Sequence, residues 1–160
     1  MRPIVNMLVD LDGLRVDRRA HDALLASLAL TISLVHGATD ADARWIAATF
    51  GGVWPQESQA GWNWFIRDGL GNSRGFATYE QRSLHHWWLD AWLDDSSVGM
   101  FGPMGVDPAL RGKGLGCVLT QRALLSLKDL GFSQALIPAV GPVDFYERCC
   151  GARVVQRLER

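Results

Sequence analysis

The sequence predicts a mixed α/β domain, and three observations carry that prediction. First, an apolar run over residues 98–106 is followed by a glycine-rich loop, a helical pattern over 117–130 and a second β-prone run over 132–140. A strand, helix, strand succession closes as a right-handed crossover, which makes the two strands parallel. Second, residues 62–67 and 75–81 alternate as strands around the turn-forming segment 68–73, giving an antiparallel hairpin and hence a mixed sheet. Third, 160 residues at 48% apolar composition, with seven tryptophans, suffice for one buried core. A single domain over residues 1–160 is expected.

Taken in order, residues 3–11 are β-prone and Asp12-Gly13 turns the chain, so the segment is a strand or an arm. Leu24, Leu25 and Leu28 fall at helical spacing and complete an N-terminal arm and helix over 1–28. Residues 30–36, β-branched and aliphatic, form a strand, and Thr39-Asp40 caps a helix carrying Ala43, Ile46, Ala47 and Phe50. Gly51-Gly52 and Trp54-Pro55 break the pattern, so 51–59 reads as a loop. After the hairpin, residues 83–95 are a tryptophan-rich insert. Leu84, Trp87, Trp88, Ala91, Trp92 and Leu93 lie at near-helical spacing there, an amphipathic helix whose apolar face must bury against this domain or a partner. The strand over 98–106 holds Gly102-Pro103 and Gly105, which a strand tolerates only at a bulge or edge. The next helix places Leu115, Val118, Leu119, Ala123 and Leu127 on one face and stops at Gly131. Gly141-Pro142 opens a last helix, Gly151 closes it, and 152–158 is a final strand.

Bulk properties exclude several classes of function. A net charge of −1, from 16 basic and 17 acidic residues, offers no field to recruit nucleic acid or anionic lipid; neither is expected as a partner. The apolar stretch 24–35 is too short to span a bilayer, and Asp10 and Asp12 precede it where a signal peptide would be basic. A cytoplasmic location is expected. Three cysteines, two of them adjacent, and four scattered histidines show no metal-ligand spacing. Reduced thiols and no metal are expected.

The chemistry centres on Arg111-Gly112-Lys113-Gly114-Leu115-Gly116. Glycines at alternate positions let backbone N–H groups converge, and the following helix N-terminus adds its partial positive charge, so a phosphate or pyrophosphate is the natural guest. A Walker A loop would need glycine at Asp107 and a hydroxyl at Gly114; a dinucleotide fingerprint would need glycine at Cys117. Neither ATP nor NAD is favoured.

This loop, preceded by Val106-Asp107-Pro108, resembles the Arg/Gln-x-x-Gly-x-Gly/Ala loop of the GNAT superfamily of acyl-CoA-dependent N-acetyltransferases, and Phe145-Tyr146-Glu147 with Gly151 resembles its second landmark. The resemblance implies a GNAT fold with splayed fourth and fifth strands and transfer of an acetyl group from acetyl-CoA to a primary amine by direct attack. It implies that Arg111, Gly112, Lys113, Gly114, Leu115 and Gly116 hold the pyrophosphate. Met104, Gly105 and Val106 would lend main-chain hydrogen bonds to pantetheine and the thioester carbonyl, and Tyr146 would protonate the leaving thiolate. Trp54, Glu57 and Trp62 would sit by the acceptor pocket, with Glu57 the leading general base ahead of His85 and His86. The chain departs from the family at Gly141-Pro142, where many members carry Asn-x-x-Ala, and at Ala152, where an aromatic is common. Acyl-cysteine chemistry at Cys149 or Cys150 is the less favoured route. Two other readings are a degenerate acyl-CoA-sensing domain and one half of a larger acetyltransferase assembly. Finally, only one strand follows the tyrosine helix where members usually have two. Either the segment 3–11 or a partner subunit is expected to complete the sheet, and a homodimer is favoured.

Overall fold

The structure, a computed structural model, describes residues 3–82 and 89–159. Seven strands form one sheet in the order β2-β3-β4-β5-β6-β1-β7. They are β1 (Ile4–Asp10), β2 (Thr31–His36), β3 (Trp62–Arg67), β4 (Ser73–Tyr79), β5 (Val98–Val106), β6 (Gln134–Ile137) and β7 (Arg153–Leu158). Among the described residues six α-helices accompany them, α1 (Arg18–Ser27), α2 (Asp40–Thr49), α3 (Trp54–Ala60), α4 (Asp90–Leu93), α5 (Leu115–Asp129) and α6 (Val143–Cys150), with a short 3-10 turn at Pro108–Leu110. Neighbouring strands pair antiparallel except β5 and β6, which are parallel across α5.

Local chemistry sets the ends of these elements. The Asp17 carboxylate accepts the Ala20 N–H at the start of α1, and the Thr39 hydroxyl accepts the Asp42 N–H at the start of α2, each satisfying a helix-end donor. Gly151, left-handed at φ 67°, closes α6. One expectation fails here. Residues 51–59 are not all loop, because α3 begins at Trp54 with Pro55 in its first turn, a position where proline's missing N–H costs nothing and its fixed φ suits the helix.

Both faces of the sheet are covered. Met7, Val9, Leu119, Leu124 and Leu127 belong to the core under α5, whereas Leu8, Met100 and Leu136 are buried on the opposite face. A third cluster packs Ile46 of α2 against Phe65 and Phe76. Strand β1 lies between β6 and β7, antiparallel to both, with Met7 opposite Ile137 and Ile4 opposite Leu158. Of the two expected completions of the sheet, the segment 3–11 is the one that fills it, so no partner strand is needed at this position. Of the insert, residues 83–88, which include Leu84, His85, His86, Trp87 and Trp88, lie outside the described residues. Its described part is the single turn α4, which folds back onto this domain: Leu89 is buried beside Val98 and Met100, and the Trp92 indole N–H donates to Gln156 Oε1 at 3.2 Å.

The feature that positions the site is the parting of β5 from β6. Their pairing runs only through Met100 opposite Leu136, while β5 continues to Val106. The register of β5 against β4 also shifts between Ala77 and Tyr79, the bulge that Gly102-Pro103 predicts. The thiols depart from expectation. Cys117 of α5 and Cys149 of α6 are joined as a disulfide, their Cα atoms 5.5 Å apart, within the range a disulfide needs; Cys150 is free.

Candidate active site

The glycine-rich loop leaves β5 through a pinned corner. Asp107 Oδ1 accepts the Ala109 N–H at 2.9 Å, and Arg74 Nε donates to Asp107 Oδ2 at 3.0 Å. Gly112 and Gly114 then take φ of 79° and 88°, left-handed conformations that a side chain resists. The first bond of α5 runs from the Val118 N–H to the Gly114 carbonyl, so the amides ahead of it emerge from the helix end without helical acceptors. Leu115, 1% exposed, anchors that end in the core.

These groups open onto a groove of about 400 Å³ that includes Met104, Gly105, Val106, Arg111, Gly112, Gly114, Leu115 and Gly116 in its walls, with Phe50 and Phe145 across from them. Lys113 is exposed and is not part of that lining. Gly105 has to be glycine, because a Cβ there would come 2.5 Å from the Phe50 ring. Beyond Met100 the β6 side of β5 is unpaired, which leaves main-chain donors and acceptors available to a ligand.

A second cavity of about 320 Å³ shares Trp54, Met104 and Pro142 with the groove and is lined further by Glu57, Gln81 and Tyr146. Glu57 accepts a hydrogen bond from Gln81 Nε2 at 3.0 Å, and burial raises its pKa above the ordinary glutamate value. Tyr146 is 6% exposed and meets Phe101 and Phe145 edge-on, at ring separations of 5.9 and 5.0 Å. Burial, with Cys150 adding to it, pushes the phenol's pKa well up and keeps it protonated. Burial likewise pushes the Cys150 thiol up to about 11, and Cys149 is in the disulfide. Neither sulfur is a ready thiolate nucleophile.

Tyr146, distant in sequence from Trp54 and Glu57 of α3, thus comes together with them in one cavity. Trp62 does not join them: at the start of β3, 40% exposed, its ring packs at a tilt against His36 of β2 with centroids 4.4 Å apart. Sequence reasoning missed Gln81, Phe50, Phe145 and the 138–142 segment. That segment is held by β1, where Asn6 Oδ1 accepts the Ala139 N–H at 2.9 Å and the Val5 carbonyl accepts the Val140 N–H at 2.7 Å. Only the placement of β1 beside β6 reveals this support. Among the described residues no group of three His, Cys, Asp or Glu is placed to hold a metal, and no helix is long and apolar enough to cross a membrane.

No family model matches the chain. Solved structures do. A GCN5-related glucosamine N-acetyltransferase region of a fungal multi-domain β-N-acetylglucosaminidase is similar over 97% of this chain and 20% of its own, at 18% identity and TM-score 0.71. A GNAT-family acetyltransferase from Novosphingobium aromaticivorans is similar over 98% of this chain and 62% of its own, at 15% identity and TM-score 0.64. A tandem GNAT protein from the clavulanic acid biosynthesis pathway is similar over 99% of this chain and 52% of its own, at 13% identity and TM-score 0.66. The chain spans from a fifth to about three-fifths of the length of these proteins. Its fold is that of the GNAT acyltransferases, with β5 and β6 as the splayed pair.

Proposed function

We propose that this protein is an N-acetyltransferase that moves an acetyl group from acetyl-CoA to a primary amine. The observation that carries the reading is the junction of two recesses at Trp54, Met104 and Pro142, one edged by the glycine-rich loop and the other holding Glu57 and Tyr146. The amides at the start of α5 receive the pyrophosphate, with Arg111 adding charge at the mouth and Lys113 contributing from solvent. The unpaired edge of β5 at Met104, Gly105 and Val106 binds the pantetheine arm and polarises the thioester carbonyl. Glu57 takes a proton from the ammonium form of the acceptor. The freed amine then forms the C–N bond at the thioester carbon, the C–S bond breaks as Tyr146 gives its proton to the departing thiolate, and the second proton shed by the new amide nitrogen restores the phenol.

A second reading, one half of a larger acetyltransferase assembly, is favoured by the similarity to a tandem protein about twice this length. It shares the same chemistry and is separated by the solution mass from light scattering. The primary test is calorimetric titration with acetyl-CoA, followed by thiol release over a panel of amines. Micromolar binding and amine-dependent release of coenzyme A support the reading; binding without release on any amine would make the domain a sensor, and no binding would end both.

A further inference from the structure

The glycine-rich loop is anchored at both ends. At its far end Leu115 is plugged into the core. Its near end depends on the Asp107 carboxylate, whose two oxygens are both engaged. Oδ1 accepts the Ala109 N–H at 2.9 Å within the turn Pro108–Leu110, and Oδ2 accepts from Arg74 Nε at 3.0 Å. The same two residues are also joined through the main chain, the Asp107 N–H donating to the Arg74 carbonyl at 2.8 Å. One residue of β4 thus grips the first residue after β5 twice. Because a carboxylate is planar, the way it faces Arg74 also fixes where Oδ1 stands, and with it the turn that ends at Leu110, next to Arg111.

Arg74 is itself held. Its Nη1 lies 3.6 Å from Asp68 Oδ2, and Asp68 is locked in the β3–β4 turn, where its Oδ1 accepts the N–H groups of Leu70 and Asn72 at 2.9 and 3.0 Å. A guanidinium is a rigid fork, so keeping one arm near Asp68 aims Nε at Asp107. Neighbouring Arg67 does not compete, since both its terminal nitrogens donate to Asp42 at 2.9 Å. Midway along the loop, a Cβ built on Gly112 would meet no atom within 4 Å, so packing does little to fix the chain there and its anchors must.

We infer that Arg74 is a positioning residue for the phosphate-binding loop, presetting the loop's amides for the anion through the Asp107 carboxylate rather than by touching the ligand. The ligand's identity, acetyl-CoA, rests on the acetyl-transfer reading above; the link from Arg74 to the loop does not. A preset loop spares the ordering cost at the moment of binding.

Arg74→Gln should raise both the Kd and the KM for acetyl-CoA by about fivefold or more, with kcat at saturation and the amine's KM within about twofold of wild type. Arg74→Lys, which keeps the charge but not the fork, should recover part of the loss. An unchanged Kd in Arg74→Gln would overturn the inference. A cation that merely attracted the anionic ligand from a distance would give the same first result, and a double-mutant cycle separates the two. Acting through the carboxylate, Arg74→Gln should cost little once Asp107→Ala is in place, whereas a full additive loss would count against the positioning role. Hydrogen exchange on the free protein keeps this inference apart from the acetyl-transfer reading. If wild type fails to bind acetyl-CoA, that reading fails, and exchange at the amides of residues 109–116 still decides. Faster exchange there in Arg74→Gln, with α6 unchanged, upholds the positioning role, and equal exchange overturns it.

Discussion

Burial raises the pKa of both ionisable groups of the cavity, and both shifts suit the proposed acetyl transfer. It raises the pKa of Tyr146, so the phenol still carries a proton when a thiolate departs, and it raises that of Glu57, which strengthens it as a base once ionised. Glu57 must be deprotonated to act, so kcat/KM should fall on the acid side with a midpoint above the ordinary glutamate value of 4.5. Glu57→Gln should lower kcat by about 10²-fold or more and flatten that limb. Stability carries the opposite sign. A carboxyl whose folded pKa is raised contributes fully below pH 4.5 and loses that contribution as pH rises through the folded value. The same variant should therefore melt no lower than wild type at pH 8, while an early melt would show that Glu57 is structural. Tyr146→Phe should cut kcat by about 10²-fold with acetyl-CoA affinity unchanged in calorimetry. That Tyr146 would lie at a cavity was legible because a local motif carries it, whereas Glu57 was placed there only through the acceptor-side segment that the resemblance implies. Gln81 was not legible, since its link to Glu57 exists only where α3 lies over the end of β4. Trp62 lies outside the described lining of the cavity for a related reason: a strand residue's facing depends on the pleat, and here the ring pairs with His36 across β2 and β3.

At the scale of elements, the site is two helix ends and a parted pair of strands. Gly114 caps α5 in a left-handed conformation, φ 88°, with Leu24 Cδ2 3.4 Å from where a Cβ would stand. Gly114→Val combines backbone strain of about 1–3 kcal/mol with a branched side chain at the groove. Acetyl-CoA affinity should drop at least tenfold by calorimetry, with near-native circular dichroism. The Cys117–Cys149 bridge ties α5, which follows the loop, to α6, which carries Tyr146. Its sequence separation is 32 residues, for which loop-closure entropy gives about 3–4 kcal/mol. Urea unfolding with and without reductant should show a loss of that order in wild type and none in Cys149→Ser. These two features differ in how far the sequence exposes them. Glycines spell out a loop, whereas the bridge depends on how α5 packs against α6, which no local pattern encodes. The same distinction explains α3: glycine and proline break a pattern when read locally, yet Pro55 sits where a helix begins.

For the whole molecule, the decisive fact is that the N-terminal strand is interior. The hairpin β3–β4, the crossover β5–α5–β6 and the closing helix and strand follow from periodicity and turn chemistry, so the fold was legible from residue 30 onward. The segment 3–11 was expected as one of two ways to complete the sheet, but its place between β6 and β7 was not readable, because a β-prone segment does not announce its neighbours. Its six buried residues include Met7 and Val9 at 0% exposure, and Leu11 beyond it is also fully buried. Ile4, Val5, Met7, Leu8, Val9 and Leu11 together represent on the order of 10 kcal/mol of apolar burial, comparable to the entire stability of an ordinary domain. The strand also carries Asn6, fully buried, which donates to Gln156 Oε1 at 2.8 Å and accepts from the Ala139 N–H on the cavity wall. A chain lacking residues 1–11 should then fail to fold rather than dimerise, giving a disordered circular dichroism spectrum and aggregates in light scattering. Asn6→Ala, which removes no apolar area of consequence, should still fold while releasing the Ala139 loop. Its mark should be a raised KM for the amine with acetyl-CoA affinity intact. A truncated chain that remains folded, active and monomeric would refute the placement of β1 in the heart of the sheet.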